Sequence, residues 1–268
     1  MKNQNVVLYL SILIGLVLMS SGCNNLEFSS NWLDREITID GSDAEWQGSL
    51  MSLKKGKMAW GVLNDEKYLY ITCVLSDREI ERQVMGLGLT VWLNANGGTD
   101  KTFGIHFPIG MQDGRRQMMQ GLEGGSAFDE EQFFQQGTSE MEIVGPGKDE
   151  RFKTLAPGTD GIEVQLRRTS GRLVYELKVP LSISPEHPFA INTKPGNEIG
   201  IGFEVTEPSM KERPDDMPNK GGRSQGGMSG GGKKSQGKGI SHGGNNPPES
   251  LKLWASVTLA SPNAGVIK

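Results

Sequence analysis

The chain has 268 residues, of which 22% are charged and 35% hydrophobic, and its 28 basic and 32 acidic side chains give a formal net charge of −4. This mildly acidic balance provides no strongly basic face for phosphate groups, so no nucleic-acid partner is expected. Glycine is abundant, with 37 residues, and aromatic side chains make up only 7%, which indicates many turns and a β architecture rather than a helical bundle.

The amino-terminal residues 1–22 have the composition of an export signal. Lys2 gives a positive start, an apolar run extends from Val6 to Met19, and small residues precede Cys23. The run is short for a membrane span. Its end resembles the bacterial lipobox, with Ser20 where leucine is usual, so Cys23 is predicted to carry lipid. This lipid would hold the protein to a membrane of the cell envelope, on the periplasmic or cell-surface side. Cleavage without lipid and a retained membrane helix are the alternatives.

Residues 23–30 are expected to be a flexible polar tether, and residues 31–260 one domain. From Glu36 onward, apolar and polar residues alternate with a period of two, which is typical of strands with one buried face. The clearest apolar series are Leu87, Leu89, Val91 and Leu93; Ile162, Val164 and Leu166; Ile199, Ile201, Phe203 and Val205; and Leu251, Leu253, Ala255, Val257 and Leu259. No amphipathic helix of three turns is expected. The sequence therefore predicts an all-β fold, a two-sheet antiparallel sandwich of immunoglobulin or jelly-roll type, with about ten strands.

Three further segments carry expectations. Residues 219–248 consist mainly of Gly, Ser, Lys, Gln and Asn, which predicts a disordered loop inserted before the last strand. Lysines in this loop could contact anionic lipid or polysaccharide, and a merely solvated loop is the alternative. Residues 261–268 are expected to be a tail. Cys73 alternates with apolar neighbours in 68–75, which indicates a buried side chain rather than a nucleophile.

Short blocks of sequence, taken in order, resemble the family 9 carbohydrate-binding modules and their DOMON-like relatives. The blocks are Ile37-Thr-Ile-Asp-Gly-Ser-Asp-Ala-Glu-Trp46, Trp60–Ile71, Leu89–Asn94, Tyr175–Pro180 and Gly196–Phe203, with Trp254 near the final strand. The resemblance implies a β-sandwich whose opening strand runs into an Asp40-Gly41 turn and whose Trp46 packs over the end of the sandwich. It also implies that the ligand is a glycan or oligosaccharide.

Strand parity directs Trp92, Trp254 and His106 away from the predicted core. In relatives of this type the apolar face of a pyranose packs on an aromatic ring, while nearby polar groups bind the hydroxyls. The predicted ligand contacts are Trp92, Trp254, His106, Trp60 and Asn94. Cover by a loop such as 112–136 is the other explanation for outward tryptophans.

No cofactor or catalytic group is predicted. Asn94, Asn96 and Asp100 surround a glycine turn but lack the carboxylates of a calcium loop, so calcium is only weakly supported. The three histidines have no helix that would bring them together around zinc. Nothing in the spacing singles out a carboxylate pair, a nucleophile elbow or a phosphate-binding loop, and the chain is interpreted as a non-enzyme.

Two alternative functions stay open. Related sandwich domains bind haem through methionine with histidine or lysine, and Met111, Met118 and Met119 follow His106 in the chain. Methionine in such places is more often core filler. The other alternative is a surface lipoprotein that contacts a protein partner through residues 111–136.

Overall fold

The fold is given by a computed structural model that describes residues 26–110, 137–145, 147, 150–156, 158–205 and 250–262. The strands in this part of the chain are β1 (Leu26–Ser29), β2 (Asn31–Trp32), β3 (Met51–Leu53), β4 (Met58–Asn64), β5 (Tyr68–Leu75), β6 (Thr90–Asn94), β7 (Phe103–His106), β8 (Glu140–Val144), β9 (Arg151–Leu155), β10 (Gly158–Thr159), β11 (Ile162–Thr169), β12 (Arg172–Pro180), β13 (Glu198–Glu204) and β14 (Lys252–Thr258). One α-helix, α1 (Arg78–Leu87), lies between β5 and β6, and a 3-10 turn covers Lys54–Gly56.

These strands form two sheets. The first sheet has the order β1-β14-β13-β6-β7-β8-β9, and the second has the order β10-β11-β12-β5-β4-β2, with β3 also paired to β4. The pairings β1 with β14 and β2 with β4 are parallel, and the others are antiparallel. The inner faces of both sheets contribute to one apolar core. The predicted all-β, two-sheet sandwich is confirmed.

The alternation in β5 shows why the sheets stack this way. Leu69, Ile71, Cys73 and Leu75 all point into the core, and each is completely buried. Burial alone raises the pKa of the Cys73 thiol, which keeps it in the neutral form. Cys73 is therefore a core residue, as its place in the alternating run predicts.

Two hairpins follow the predicted turn chemistry. Ser170 and Gly171 join β11 to β12 with φ angles of 51° and 78°, the two positive values that a primed two-residue hairpin needs. Between β4 and β5, the Asp65 carboxylate accepts hydrogen bonds from the backbone N–H groups of Lys67 and Tyr68, both at 2.7 Å. Local side-chain bonds of this kind stabilise the turn at Asn64-Asp65.

The expected tether over residues 23–30 is corrected in its second half. Leu26–Ser29 is a strand that pairs with β14, and Ser30 is buried where the chain crosses to the second sheet. Phe28 packs against the core while Glu27 is exposed, so the segment has a strand's alternation in spite of its polar composition. Residues 1–25, including Cys23, lie outside the described part of the chain.

Helix α1 is a second difference from the expectation. Asp77 caps its first turn by accepting hydrogen bonds from the backbone N–H groups of Glu79 and Ile80, at 3.0 Å and 3.2 Å. Ile80 and Val84 are the two apolar side chains that α1 buries completely or nearly so, one turn apart. With only these two apolar positions buried, the helical repeat extends over about one turn. It is therefore hard to recognise in the sequence.

The outer face of the second sheet is covered by the segment 33–50. Trp46 is fully buried there against Leu63 and Tyr70, and Ile37 and Ile39 pack beside it. The described structure has no strand between Trp32 and Met51. Two expectations for the opening block are therefore corrected. Residues 37–46 form an irregular cover rather than a strand, and Trp46 packs on the outer face of a sheet rather than over the end of the sandwich.

Glu176 on β12 fastens this cover to the sheet. Its Oε2 accepts hydrogen bonds from the backbone N–H groups of Asp40, Gly41 and Ser42 at 3.0, 2.7 and 3.3 Å. Its Oε1 accepts one from the Trp46 indole at 2.6 Å. Burial raises the pKa of Glu176, while these N–H donors act in the opposite direction. The carboxyl group is thus satisfied on both oxygens in a place that water does not reach.

The Asp40-Gly41 turn requires glycine for two reasons, which a pair of variants separates. Gly41 and Gly171 both have φ +78°, but a Cβ at Gly41 would lie 2.3 Å from the Arg167 Cβ, whereas one at Gly171 meets nothing within 4 Å. Gly171→Ala is expected to lower the free energy of unfolding by about 1 kcal/mol through backbone strain alone.

Gly41→Ala is expected to cost about 2 kcal/mol more than Gly171→Ala, because relieving the overlap moves N–H donors away from Glu176. Chemical denaturation of both variants beside the parent measures the difference. Equal losses in the two variants would show that the turn has no special role in holding the cover.

Candidate functional site

Trp92 and Trp254 lie on the outer face of the first sheet, on either side of β13. Gly202 on β13 pairs with both tryptophans, and Gly104 on β7 pairs with Trp92 on its other side. Across the four neighbouring strands β14, β13, β6 and β7, tryptophan and glycine therefore alternate in one row. We call the surface formed by Trp92, Gly104, Gly202 and Trp254 the tryptophan face.

Each tryptophan ring lies on the backbone of a neighbouring glycine. A Cβ added to Gly202 would be 2.6 Å from the Trp254 ring, and one added to Gly104 would be 2.7 Å from the Trp92 ring. These glycines are thus needed for the close approach of a ring. Both tryptophans are half-buried. The predicted outward direction of the two rings is confirmed, and their role in binding stays a prediction.

A carboxylate and two lysines border the tryptophan face. Glu204 Oε2 accepts a hydrogen bond from the Trp92 indole at 2.9 Å and forms an ion pair with Lys101 Nζ at 2.5 Å. The Lys101 ammonium also lies over the Trp92 ring, 5.5 Å from its centroid. Lys252 is the direct cross-strand neighbour of Glu204 on β14. Sequence reasoning missed this group, although Glu204 has the same outward parity as Gly202.

His106 is on the same sheet face but is not available to a ligand. Its Nε2–H donates to the backbone carbonyl of Ile109 at 3.2 Å, because a carbonyl can only accept. Its Nδ1 then accepts from the Thr90 hydroxyl at 2.9 Å. The side chain is 9% exposed. The expectation of His106 as a ligand contact is therefore corrected to a local structural role.

Asn94 and Trp60 are also corrected as ligand contacts. Asn94 is buried, and its side-chain oxygen accepts a hydrogen bond from the backbone N–H of Asn96 at 3.1 Å, which holds the turn after β6. Trp60 is 2% exposed and packs edge to face against Phe28 and Phe203 in the core. Trp60 is among the residues that line a side cleft of about 230 Å³, all of which are uncharged.

Several predictions fall on residues that are not described. The haem alternative depends on Met111, Met118 and Met119, and the loop cover on residues 112–136, all outside the described ranges. In the part of the chain that the structure describes, no group of three or more His, Cys, Asp or Glu side chains is placed to hold a metal ion. No helix among those residues combines the length and the hydrophobicity of a membrane span.

The geometry defines a class of protein, a two-sheet β-sandwich with an outward aromatic surface on one sheet. Among solved structures the chain is similar to a family 9 carbohydrate-binding module from Caldicellulosiruptor kristjanssonii in complex with glucose, at 13% identity over 67% of this chain and 77% of that one, with a TM-score of 0.31. It is similar also to such a module in complex with cellotriose, at 12% identity over 90% and 97%, with a TM-score of 0.35.

These likenesses are distant and identify no residue of this chain as a ligand contact. No protein-family profile matches the chain, and no curated protein sequence matches it.

The buried His106 is expected to make the stability of the fold sensitive to mild acid. Burial, the largest cause, lowers the pKa of His106, while the bond to Ile109 opposes that shift. A folded-state pKa below the unfolded value of about 6.5 means that the unfolded chain binds the proton first. The stability from neutral His106 is present above that pH and is lost as pH falls toward the folded-state pKa.

The expected result is a smaller loss of unfolding free energy between pH 7 and pH 5 in His106→Gln than in the parent, because the amide can keep one donor and one acceptor without titrating. Urea denaturation at a series of pH values measures both slopes. Identical slopes would mean that His106 is charged or solvated in the folded protein.

Proposed function

We propose that this protein is a non-catalytic glycan-binding β-sandwich. The observation that carries the proposal is the pair of half-buried tryptophan rings, each resting on a glycine of the first sheet. With one ring face against the backbone, the opposite face is directed outward. Outward tryptophans at the centres of strands leave apolar surface in water, and a ligand with an apolar face offsets that cost.

A pyranose ring suits this surface chemically. Its C–H face can pack on the indole, and its hydroxyls can bond to polar groups beside the rings. Glu204 and Lys101 supply an acceptor and a donor next to Trp92. Lys252 supplies a further donor one strand away. A shallow surface with two stacking positions favours an oligosaccharide over a single sugar.

The first test measures glycan binding by the full-length protein in detergent against an array that includes glucose, cellotriose and other oligosaccharides. Trp92→Ala and Trp254→Ala are each expected to weaken binding by roughly tenfold or more, because a stacked aromatic ring usually dominates such a contact. Trp32→Ala is the matched control, since Trp32 is also half-buried but belongs to β2 of the second sheet.

Loss of binding in the two face variants, with binding kept in the control and all three folded by circular dichroism, supports the proposal. Equal loss in the control, or unchanged binding in both face variants, contradicts it. An absorption spectrum of the same sample tests the haem alternative, because a haem band would be visible without any added ligand.

We further propose that the protein is exported and held to a membrane by lipid on Cys23. The support is the sequence alone, namely a positive start, a short apolar run and small residues before the cysteine. Lipid attachment at that thiol would place the sandwich in the cell envelope, on the periplasmic or cell-surface side.

Cys23→Ser is expected to abolish incorporation of radiolabelled palmitate and to move the protein out of the membrane fraction, because the acylated sulfur is gone. Cys73→Ser is the control, and it should keep the label because its thiol is in the core. Labelling that persists in Cys23→Ser would show that Cys23 is not the acylated residue.

A further inference from the structure

The two tryptophans of the face differ in what lies above them. The Lys101 ammonium is over the Trp92 ring, 5.5 Å from its centroid, and is held there by the ion pair with Glu204. Among the described residues no cation lies over Trp254, and its indole N–H has no hydrogen-bond acceptor. Within the described ranges, no side chain lies between a ligand and the Trp254 ring, whereas a ligand reaches the Trp92 ring only when Lys101 moves.

The cost of moving Lys101 depends on the ligand. A neutral sugar that stacks on Trp92 must displace the ammonium from both the ring and Glu204 while offering no charge in return. A cation over an indole and a partly exposed ion pair are each modest interactions, so their combined loss corresponds to roughly a tenfold weaker affinity. A sugar that carries a carboxylate gives the ammonium a new partner and offsets this loss.

The lysines beside the face provide partners for an anionic ligand on one side of the tryptophan row. The exposed carboxylate of Glu27, opposite Ser256 on β14, lies on the other side of that row. Lys101 and Lys252 flank a single carboxylate, Glu204, and in the described part of the chain only Lys101 is ion-paired to it. Lys252 is exposed and lies on the same strand face as Trp254, two residues away. Residues i and i+2 of a strand share a face about 7 Å apart. A sugar ring on Trp254 therefore has within reach of its substituents an ammonium group that forms no ion pair with any described residue.

We propose that Lys101 makes the tryptophan face selective for acidic glycans, those whose sugars carry a carboxylate such as uronic acids. This rests on the proposed function, because it assumes that sugars stack on the face. Lys101 acts as a specificity-determining residue. It blocks Trp92 against neutral sugars and, once displaced, binds the ligand's carboxylate. Trp254 provides the stacking position that both kinds of sugar share.

The test compares pairs of ligands with the same sugar backbone, of which one member carries carboxylates and the other is neutral. The probes are cellotriose with its C6-oxidised triuronate, and trigalacturonate with its fully methyl-esterified form, titrated calorimetrically into the full-length protein in detergent. The parent is expected to bind the acidic member of at least one pair roughly tenfold more tightly, and this preference should fall with added salt because it is electrostatic. Lys101→Gln is expected to abolish the preference by weakening the acidic ligand and strengthening the neutral one.

Two further variants distinguish a local role of the Lys101 charge from a general effect of the protein's positive charge. Lys101→Arg keeps the positive charge and is expected to retain most of the preference. Lys153→Gln removes the same charge from β9, on the same sheet face but three strands from Trp92. At about 14 Å, that position is beyond the screening length, so the preference should survive.

The possible results distinguish failure of the proposed selectivity from failure of the proposed glycan binding. A parent that binds both members of each pair equally, with binding still lost in Trp254→Ala, leaves glycan binding in place and overturns the selectivity. A preference that survives in Lys101→Gln, or is lost equally in Lys153→Gln, also overturns it. Absence of binding to every probe, in the parent and in the variants, overturns both proposals.

Discussion

The bonds accepted by Glu176 hold a covering segment over the outer face of the second sheet. A buried carboxyl group on an outer sheet face would be costly without partners, and here three backbone N–H groups and the Trp46 indole provide them. The segment 33–50 is thereby fixed over the second sheet and gives it a small core of its own. The first sheet has no such cover among the described residues between β1 and β14. In the described part of the chain, the two sheets thus differ in their outer faces, and Glu176 makes most of the polar contacts that hold the cover in place.

On the first sheet, glycine takes the role that a covering segment has on the second. Gly104 and Gly202 leave room for indole rings that shield the strand backbone from water. Each ring replaces the missing side chain of its neighbour, so it supports the sheet and presents its other face at once. This dual use explains why a residue proposed for binding sits at the centre of a strand rather than on a loop. It also means that a variant of either tryptophan affects both stability and surface.

The strand pattern could be predicted because its cause is local. Alternation alone places Trp92 and Trp254 outward, and the hairpin at Ser170-Gly171 follows from residues that tolerate positive φ. The covers were harder to foresee, because Glu176 looks like an ordinary outward residue until a segment 130 or more positions away folds over it. Trp60 and Trp92 illustrate the same limit, since both are strand tryptophans. Trp60 is internal because its strand pairs it with the core residue Cys73 and its ring packs against Phe28 and Phe203. The role proposed for Lys101 could not be predicted from the sequence, because it depends on the distance between its ammonium group and the Trp92 ring.

The early start of β1 has a mechanical consequence. If Cys23 is acylated, the lipid-bearing residue is three residue steps from Leu26, the first residue paired to β14. An extended chain covers about 3.4 Å per residue, so the edge of the first sheet would stand within about 10 Å of the anchored atom. A connection this short would limit rotation of the sandwich about its anchor. The tryptophan face would then stay close to the bilayer surface. A ligand captured there would be held against the surface of the envelope rather than out in the surrounding fluid.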